Sequence, residues 1–149
     1  MLTIYIDADA SPVVKTVLSM RYELKARVVL VHSRSHLRRE ALPEDVQVII
    51  VESGPDAADY EIAGRAKKGD IVITDDLGLS GIVLSGGVKV VNSSGKLVQH
   101  QEMDLLLEIR HAAQKERRRG KYRSGPAKRT IEDEKAFAAS LREAAADCT

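Results

Sequence analysis

Five short runs rich in β-branched residues, at positions 3–6, 28–31, 46–51, 71–74 and 88–91, are separated by stretches whose apolar residues recur at helical spacing. The runs 28–31 and 46–51 are continuous rather than alternating, as strands buried on both faces are, and both read as central strands. Alternating strands and helices predict an α/β domain with a mostly parallel five-stranded sheet, right-handed crossovers and flanking helices. Ligands of such open sheets bind beyond the carboxyl ends of the strands, where the strand order reverses. The residues that directly follow each run therefore carry the functional interest.

Between the runs, the helical segments have legible ends. Ser11 is suited to cap a helix whose first residue is Pro12 and whose apolar positions are Val13, Val14, Val17 and Leu18. Positions 37–41 read as a short polar helix beside His36. A third helix opens at Asp56, with Asp59, Ile62, Ala63 and Ala66 on one stripe, and Gly69 stops it. An apolar helix over 79–84 is closed by Gly86 and Gly87. Leu105, Leu106, Ile109, Ala112 and Ala113 mark a further helix that grades into Lys115, Arg117, Arg118 and Arg119, and a loop with Gly120, Gly125 and Pro126 follows. Thr130, with Asp133 three residues on, forms a capping box for a last helix through Phe137 and Leu141. With 149 residues, 44% of them hydrophobic, the chain reads as one domain over 1–149, with a core at about 1–95 and a basic helical C-terminal extension at about 102–149.

The net charge of +1 conceals a split. Residues 110–129 hold nine of the 23 Lys/Arg and one of the 22 Asp/Glu, so the rest of the chain has a net charge of −7. An acidic body with a basic segment points to a polyanion partner, and the alternative is a solvated helix surface. No apolar run approaches the roughly 20 residues of a membrane span, and no basic-then-apolar leader opens the chain, so the expected location is the cytoplasm. The single cysteine, Cys148, argues against disulfide or thiolate-zinc chemistry. No glycine-rich phosphate loop follows the first run, which argues against a nucleotide cofactor. His32, His36 and His100 show no ligand spacing and read as structural or surface residues, and His111 reads as a helix-surface position.

Four aspartates, Asp7, Asp9, Asp75 and Asp76, sit just past probable strand ends, and Asp56 and Asp59 lie at i, i+3 near a helix start. A carboxylate beside a buried strand loses solvation unless it is paired, hydrogen-bonded or bound to a cation. Oxygen ligands without Cys or His suit Mg²⁺ or Mn²⁺ better than zinc. The competing reading is that Asp7 and Asp9 cap a helix while Asp75 and Asp76 shape a turn.

The segments IYIDADASPV, PDAADYEIA, GDIVITDDLGLS, IRHAAQKERR and GPAKRTIEDEKAF together resemble the uncharacterised YaiI/YqxD-type family, over nearly the whole chain. The resemblance implies a PIN-like fold, that of a superfamily of metal-dependent nucleases, with Mg²⁺ or Mn²⁺ held by acids at the sheet edge. It places the acidic pattern on Asp7, Asp9, Asp56, Asp59 and Asp76 and leaves Asp75 out. Ser11 stands where the family usually has cysteine, and Asp75 where it has glutamine or alanine. The implied division of labour gives Asp7, Asp59 and Asp76 the catalytic metal ions, and makes Asp9 and Asp56 auxiliary ligands. Arg110, Arg117, Arg118, Lys128 and Arg129 are the expected contacts to a nucleic-acid backbone, RNA in preference to DNA. At 3% aromatic residues, base-stacking platforms are scarce.

Two rivals share parts of this pattern. Asp7 and Asp9, Ser33, Lys67 or Lys68, and Asp75 with Asp76 fall in the order of the four motifs of haloacid-dehalogenase-like phosphatases, with Asp7 as nucleophile and Asp9 as acid/base. Pro12 speaks against that reading, because a helix starting there leaves no room for a flap after the first strand. The other rival is a non-catalytic RNA-binding module.

Overall fold

The computed structural model describes residues 1–8, 12–33, 41–52, 56–118 and 128–147, with side chains to Glu116 in the fourth of these stretches. The strands are β1 (Leu2–Asp7), β2 (Ala26–Ser33), β3 (Gln47–Val51), β4 (Ile71–Ile73), β5 (Lys89–Val91) and β6 (Leu97–Val98). The helices are α1 (Val14–Met20), α2 (Ala57–Arg65), α3 (Leu77–Ser85), α4 (Met103–Arg118) and α5 (Ile131–Ala146), and a 3₁₀ turn at His100–Glu102 leads into α4. One six-stranded sheet runs in the order β3-β2-β1-β4-β5-β6, parallel throughout except for the antiparallel β5–β6 pair.

The α/β, mostly parallel, Rossmann-like architecture is the one the sequence predicts. The sixth strand is additional: Leu97 and Val98 are too few to generate a period of two, and they pair only because the turn after β5 returns them to Val91 and Val90. A correction concerns β3, expected to be central. It is the edge strand, with Ile50 half exposed and Val48 more than a third exposed. Hydrophobicity reports burial averaged over both faces, and β3 keeps its apolar composition for the pairing face and for Ile49 and Val51, which pack against the core. A second correction concerns α1, which starts at Val14 rather than Pro12. Pro12 and Val13 form a turn, because Val13 has φ −107° and ψ 6°, outside helical geometry. Ser11 and the 37–40 part of the expected polar helix lie outside the described residues.

Two hydrophobic layers enclose the sheet. On one face Ile4, Ile6, Leu30, Ile71 and Ile73 meet Val14 and Val17 of α1 and Phe137, Leu141 and Ala144 of α5. On the other, Val29, Val31, Val72 and Val90 meet Ile62 of α2, Leu79 and Val83 of α3 and Met103 of α4. Phe137 and Leu141 are completely buried, so the last helix belongs to the core it covers. Its capping box forms as predicted: the Asp133 N–H donates to Thr130 Oγ1, and the Thr130 N–H donates to Asp133. Among the described residues, no helix is long and apolar enough to cross a membrane.

Candidate metal centre

Strand order fixes the place of the site. The chain proceeds from β1 outward to β2 and β3, then crosses back to lay β4 on the other side of β1. Crossovers leave β1 and β4 in opposite directions, and a crevice opens at their carboxyl ends. Asp7 ends β1, and Thr74, Asp75 and Asp76 follow β4 at this point.

Alternation along the strands then sorts the side chains. Tyr5 faces the α2 side, as the partly buried neighbours of that core cluster show, and Asp7, two residues on, shares its face. Thr74 is buried; its hydroxyl donates to Asp7 Oδ2 at 3.2 Å and accepts the Asp76 N–H at 3.0 Å. Asp76 caps α3 by accepting the Leu79 N–H on Oδ1 at 3.0 Å, and its carbonyl accepts the Ser80 hydroxyl. The sequence alternative, strand-end aspartates acting as caps and turn formers, therefore holds for part of the set. Asp75 is engaged elsewhere: its two oxygens accept the backbone N–H and the hydroxyl of Ser93, at 2.8 and 2.6 Å, and tie β4 to the β5–β6 turn.

Capping does not use up Asp76. One carboxylate oxygen from each of Asp56, Asp59 and Asp76 lies within 4.8 Å of the other two. Asp59 stands in the first turn of α2, and Asp56 immediately precedes that helix with φ +62°, a left-handed conformation that aspartate tolerates better than most residues. Asp56 makes no side-chain cap, so its carboxylate is directed elsewhere than to its own helix. Burial, and then the charges of Asp76, Asp7 and Asp56, push the Asp59 carboxyl up to about 7. Four carboxylates thus bear on one half-buried point, and all-oxygen donors there fit a hard divalent cation.

An open cleft of about 610 Å³ adjoins these acids, lined by Asp7, Asp75, Asp76, Asn92 and Ser93 on the sheet side and by Leu106, Ile109 and Arg110 of α4. Sequence reasoning missed Thr74, Ser93, Asn92 and the apolar wall of α4. The one available signal was Thr74 itself, a hydroxyl between a β-branched run and an acidic pair.

The expected residues separate accordingly. Asp7, Asp56, Asp59 and Asp76 come together, and the tightest trio contains Asp56, read as auxiliary, while Asp7 stands beside it. Asp9 lies outside the described residues. Arg110 is exposed on the rim of the cleft and Lys128 is exposed. Arg117 and Arg118 occupy the last turn of α4, their side chains outside the description. Arg129 has an internal job: it donates to Glu134 and to the Ser93 carbonyl, and Glu134 accepts the Thr16 hydroxyl as well, joining α1, α5 and the β5–β6 turn. His32 is buried in β2, His100 and His111 are exposed, and His36 lies outside the described residues.

The model of the family described as "Uncharacterized BCR, YaiI/YqxD family" matches residues 5–147. The chain belongs to this family. Among its relatives in the YaiI/YqxD group, a UPF0178 protein of Oceanobacillus iheyensis is 39% identical over 132 residues, covering 89% of this chain and 90% of the relative. A UPF0178 protein of Enterococcus faecalis is 38% identical over 142 residues, covering 95% and 96%. Another, from Bacillus cereus, is 37% identical over 141 residues, covering 95% and 97%. No solved structure matches the chain.

Proposed function

We propose that this YaiI/YqxD protein is a divalent-metal-dependent nuclease of PIN-like type, hydrolysing phosphodiesters of RNA in preference to DNA. The observation that carries the reading is the convergence of Asp56, Asp59 and Asp76, with Asp7 alongside, at the strand switch point. Asp59 at about 7 is a carboxyl whose neighbours already supply more negative charge than the position accommodates, and a bound cation relieves that crowding. Mg²⁺ or Mn²⁺ held there would supply neutralisation of a scissile phosphate and acidification of water at neutral pH.

The chain's own residues provide the rest. Thr74 fixes Asp7 and the Asp76 backbone, so two ligands from different strands keep one spacing. Arg110 stands across the cleft from the acids, placed to hold a phosphate away from their repulsion. Exposed Lys128, and arginines at positions 117 and 118 in the last turn of α4, supply further positive charge, which suits a backbone-directed, salt-sensitive grip. Arg129 supports the turn at Ser93 instead of contacting substrate.

The phosphatase rival finds less support. Six residues separate Asp7 from the start of α1 at Val14, too few for a substrate flap. The binding-module reading shares every basic residue and differs only in lacking turnover.

Calorimetric titration with Mn²⁺ and Mg²⁺, followed by incubation with end-labelled structured RNA and the matching DNA, tests the proposal. Saturable binding abolished in folded Asp59→Asn and Asp76→Asn variants, with metal-dependent RNA cleavage abolished in the same variants, is the expected result. Tight, salt-sensitive RNA binding indifferent to metal and to Asp76→Asn, without cleavage, would establish the binding module in its place.

A further inference from the structure

Helix α4 is apolar on more than the side that it packs. Met103 is buried and Leu106 is packed against the core, but Leu105 and Ile109 are 59% and 57% exposed and Ala112 is exposed beside them. At 100° per residue, Leu105, Ile109 and Ala112 fall within roughly 60° of one another, centred about 90° from Leu106. Their spacing of four and then three residues is that of a coiled-coil seam, and the small Ala112 lets a second helix approach closely. Nothing among the described residues covers this stripe, and its two dominant side chains are leucine and isoleucine rather than scattered single apolar positions.

Charge along the same helix says what fits it. The first half, 103–110, carries Asp104 and Glu108 against Arg110, and the second carries Lys115, Arg117 and Arg118 against Glu116, so the net charge runs from −1 to +2 along the helix. A parallel partner of the same composition would set basic half against basic half. An antiparallel one sets acid against base at both ends, and a two-fold axis makes every such pair occur twice. We propose that two copies of this chain associate through α4, antiparallel about a two-fold axis near its middle, with Ile109 facing Ala112 of the partner subunit. In that register Glu108, which flanks the seam, lies beside Lys115 of the partner subunit, and Lys115 beside the partner's Glu108. Leu105 falls level with position 116, a glutamate that ends the apolar seam, and Asp104 with position 117, an arginine. The two clefts lined by Ile109 and Arg110 then lie on either side of the paired helices. A seam of three apolar residues per copy is smaller than a standard interface, so the dimer is weak.

Sedimentation equilibrium from low micromolar to near-millimolar protein tests this, with circular dichroism to verify that each variant is folded. The full chain should pass from monomer to dimer, and Leu105→Glu should remain monomeric throughout. Glu108→Lys and Lys115→Glu should each weaken association about tenfold, and the double reversal should restore it, because the two charges exchange places across the axis. Monomer at every concentration, a dimer indifferent to Leu105→Glu, or a double reversal no tighter than either single change would overturn the proposal. The last outcome would assign the stripe to another partner or to the chain's own residues 119–127.

Discussion

Thr74 bridges two strands through Asp7: its hydroxyl donates to Asp7 Oδ2 at 3.2 Å while accepting the N–H of Asp76 at 3.0 Å. Replacing it by valine keeps the shape and deletes both bonds inside a buried position. Thr74→Val should cost about 1–2 kcal/mol in denaturant unfolding. Mn²⁺ affinity should fall about tenfold, as when a residue orienting a metal ligand is lost. Thr74→Ser should recover most of the affinity, whereas a purely steric role would leave Val at the parent's affinity and weaken Ser.

Asp59 gives the metal-free protein an unusual pH response. Its folded carboxyl titrates near 7, above the ordinary 3.8 of the unfolded chain, so the folded state holds the proton more tightly. The stabilisation is fully present below about pH 4 and is lost as pH rises toward and through 7. Asp59→Asn removes this dependence. At pH 8 the variant should be more stable than the parent by roughly 1 kcal/mol after solvent screening, or about 2–4 °C in Tm. Cation binding has the opposite slope, because the ligand must lose its proton first, and Mn²⁺ affinity should climb between pH 6 and 8 in the parent alone.

Asp75 and Asp76 are adjacent and should respond differently. Asp75→Ala severs the two bonds to Ser93 and should lower Tm by roughly 2–4 °C while leaving calorimetric Mn²⁺ binding intact. Asp76→Asn should do the reverse, since an amide oxygen can still cap α3 while the charge at the trio is gone. Equal loss of metal affinity in both would mean that the cation sits nearer the Ser93 side of the cleft.

Gly95 meets α5 with no room to spare. It adopts φ +88°, and a Cβ there would stand 2.9 Å from the Phe137 backbone nitrogen and 3.0 Å from the Ala136 carbonyl. Those are backbone atoms that cannot swing aside. Gly95→Ala should destabilise the protein by about 3 kcal/mol or more, from left-handed strain and the clash together, measured by urea unfolding.

How far the sequence carries depends on which physical signal each feature leaves. Strands β1, β2, β4 and β5 are legible because burial between helices demands a continuous β-branched run. The edge position of β3 is not, since composition is silent on which neighbour a strand lacks, and two-residue β6 has no period at all. The acids were identified because strand-end carboxylates are conspicuous, and the family resemblance separated Asp76 from Asp75 before their hydrogen bonds did. The resemblance makes Asp56 auxiliary to Asp7, and spacing along the chain does not tell which oxygens meet between the starts of α2 and α3. Arg129 reads from its basic neighbourhood as a nucleic-acid contact, and its internal partners, Glu134 and the Ser93 carbonyl, leave no trace in the sequence because the docking of α5 sets them.

That docking also orders events during synthesis. Thr16 and Glu134 bond across a sequence separation of 118 residues, and the face of β1 bearing Ile4 and Ile6, partly covered by Val14 and Val17 of α1, is completed by Phe137 and Leu141. The α2 and α3 side can assemble from segments made earlier, while the opposite side of the nascent sheet, covered only in part by α1, stays greasy until the last helix emerges. Truncation ahead of α5 should therefore yield an aggregation-prone fragment dependent on chaperones, and the translation rate over the codons for residues 131–146 becomes a determinant of yield.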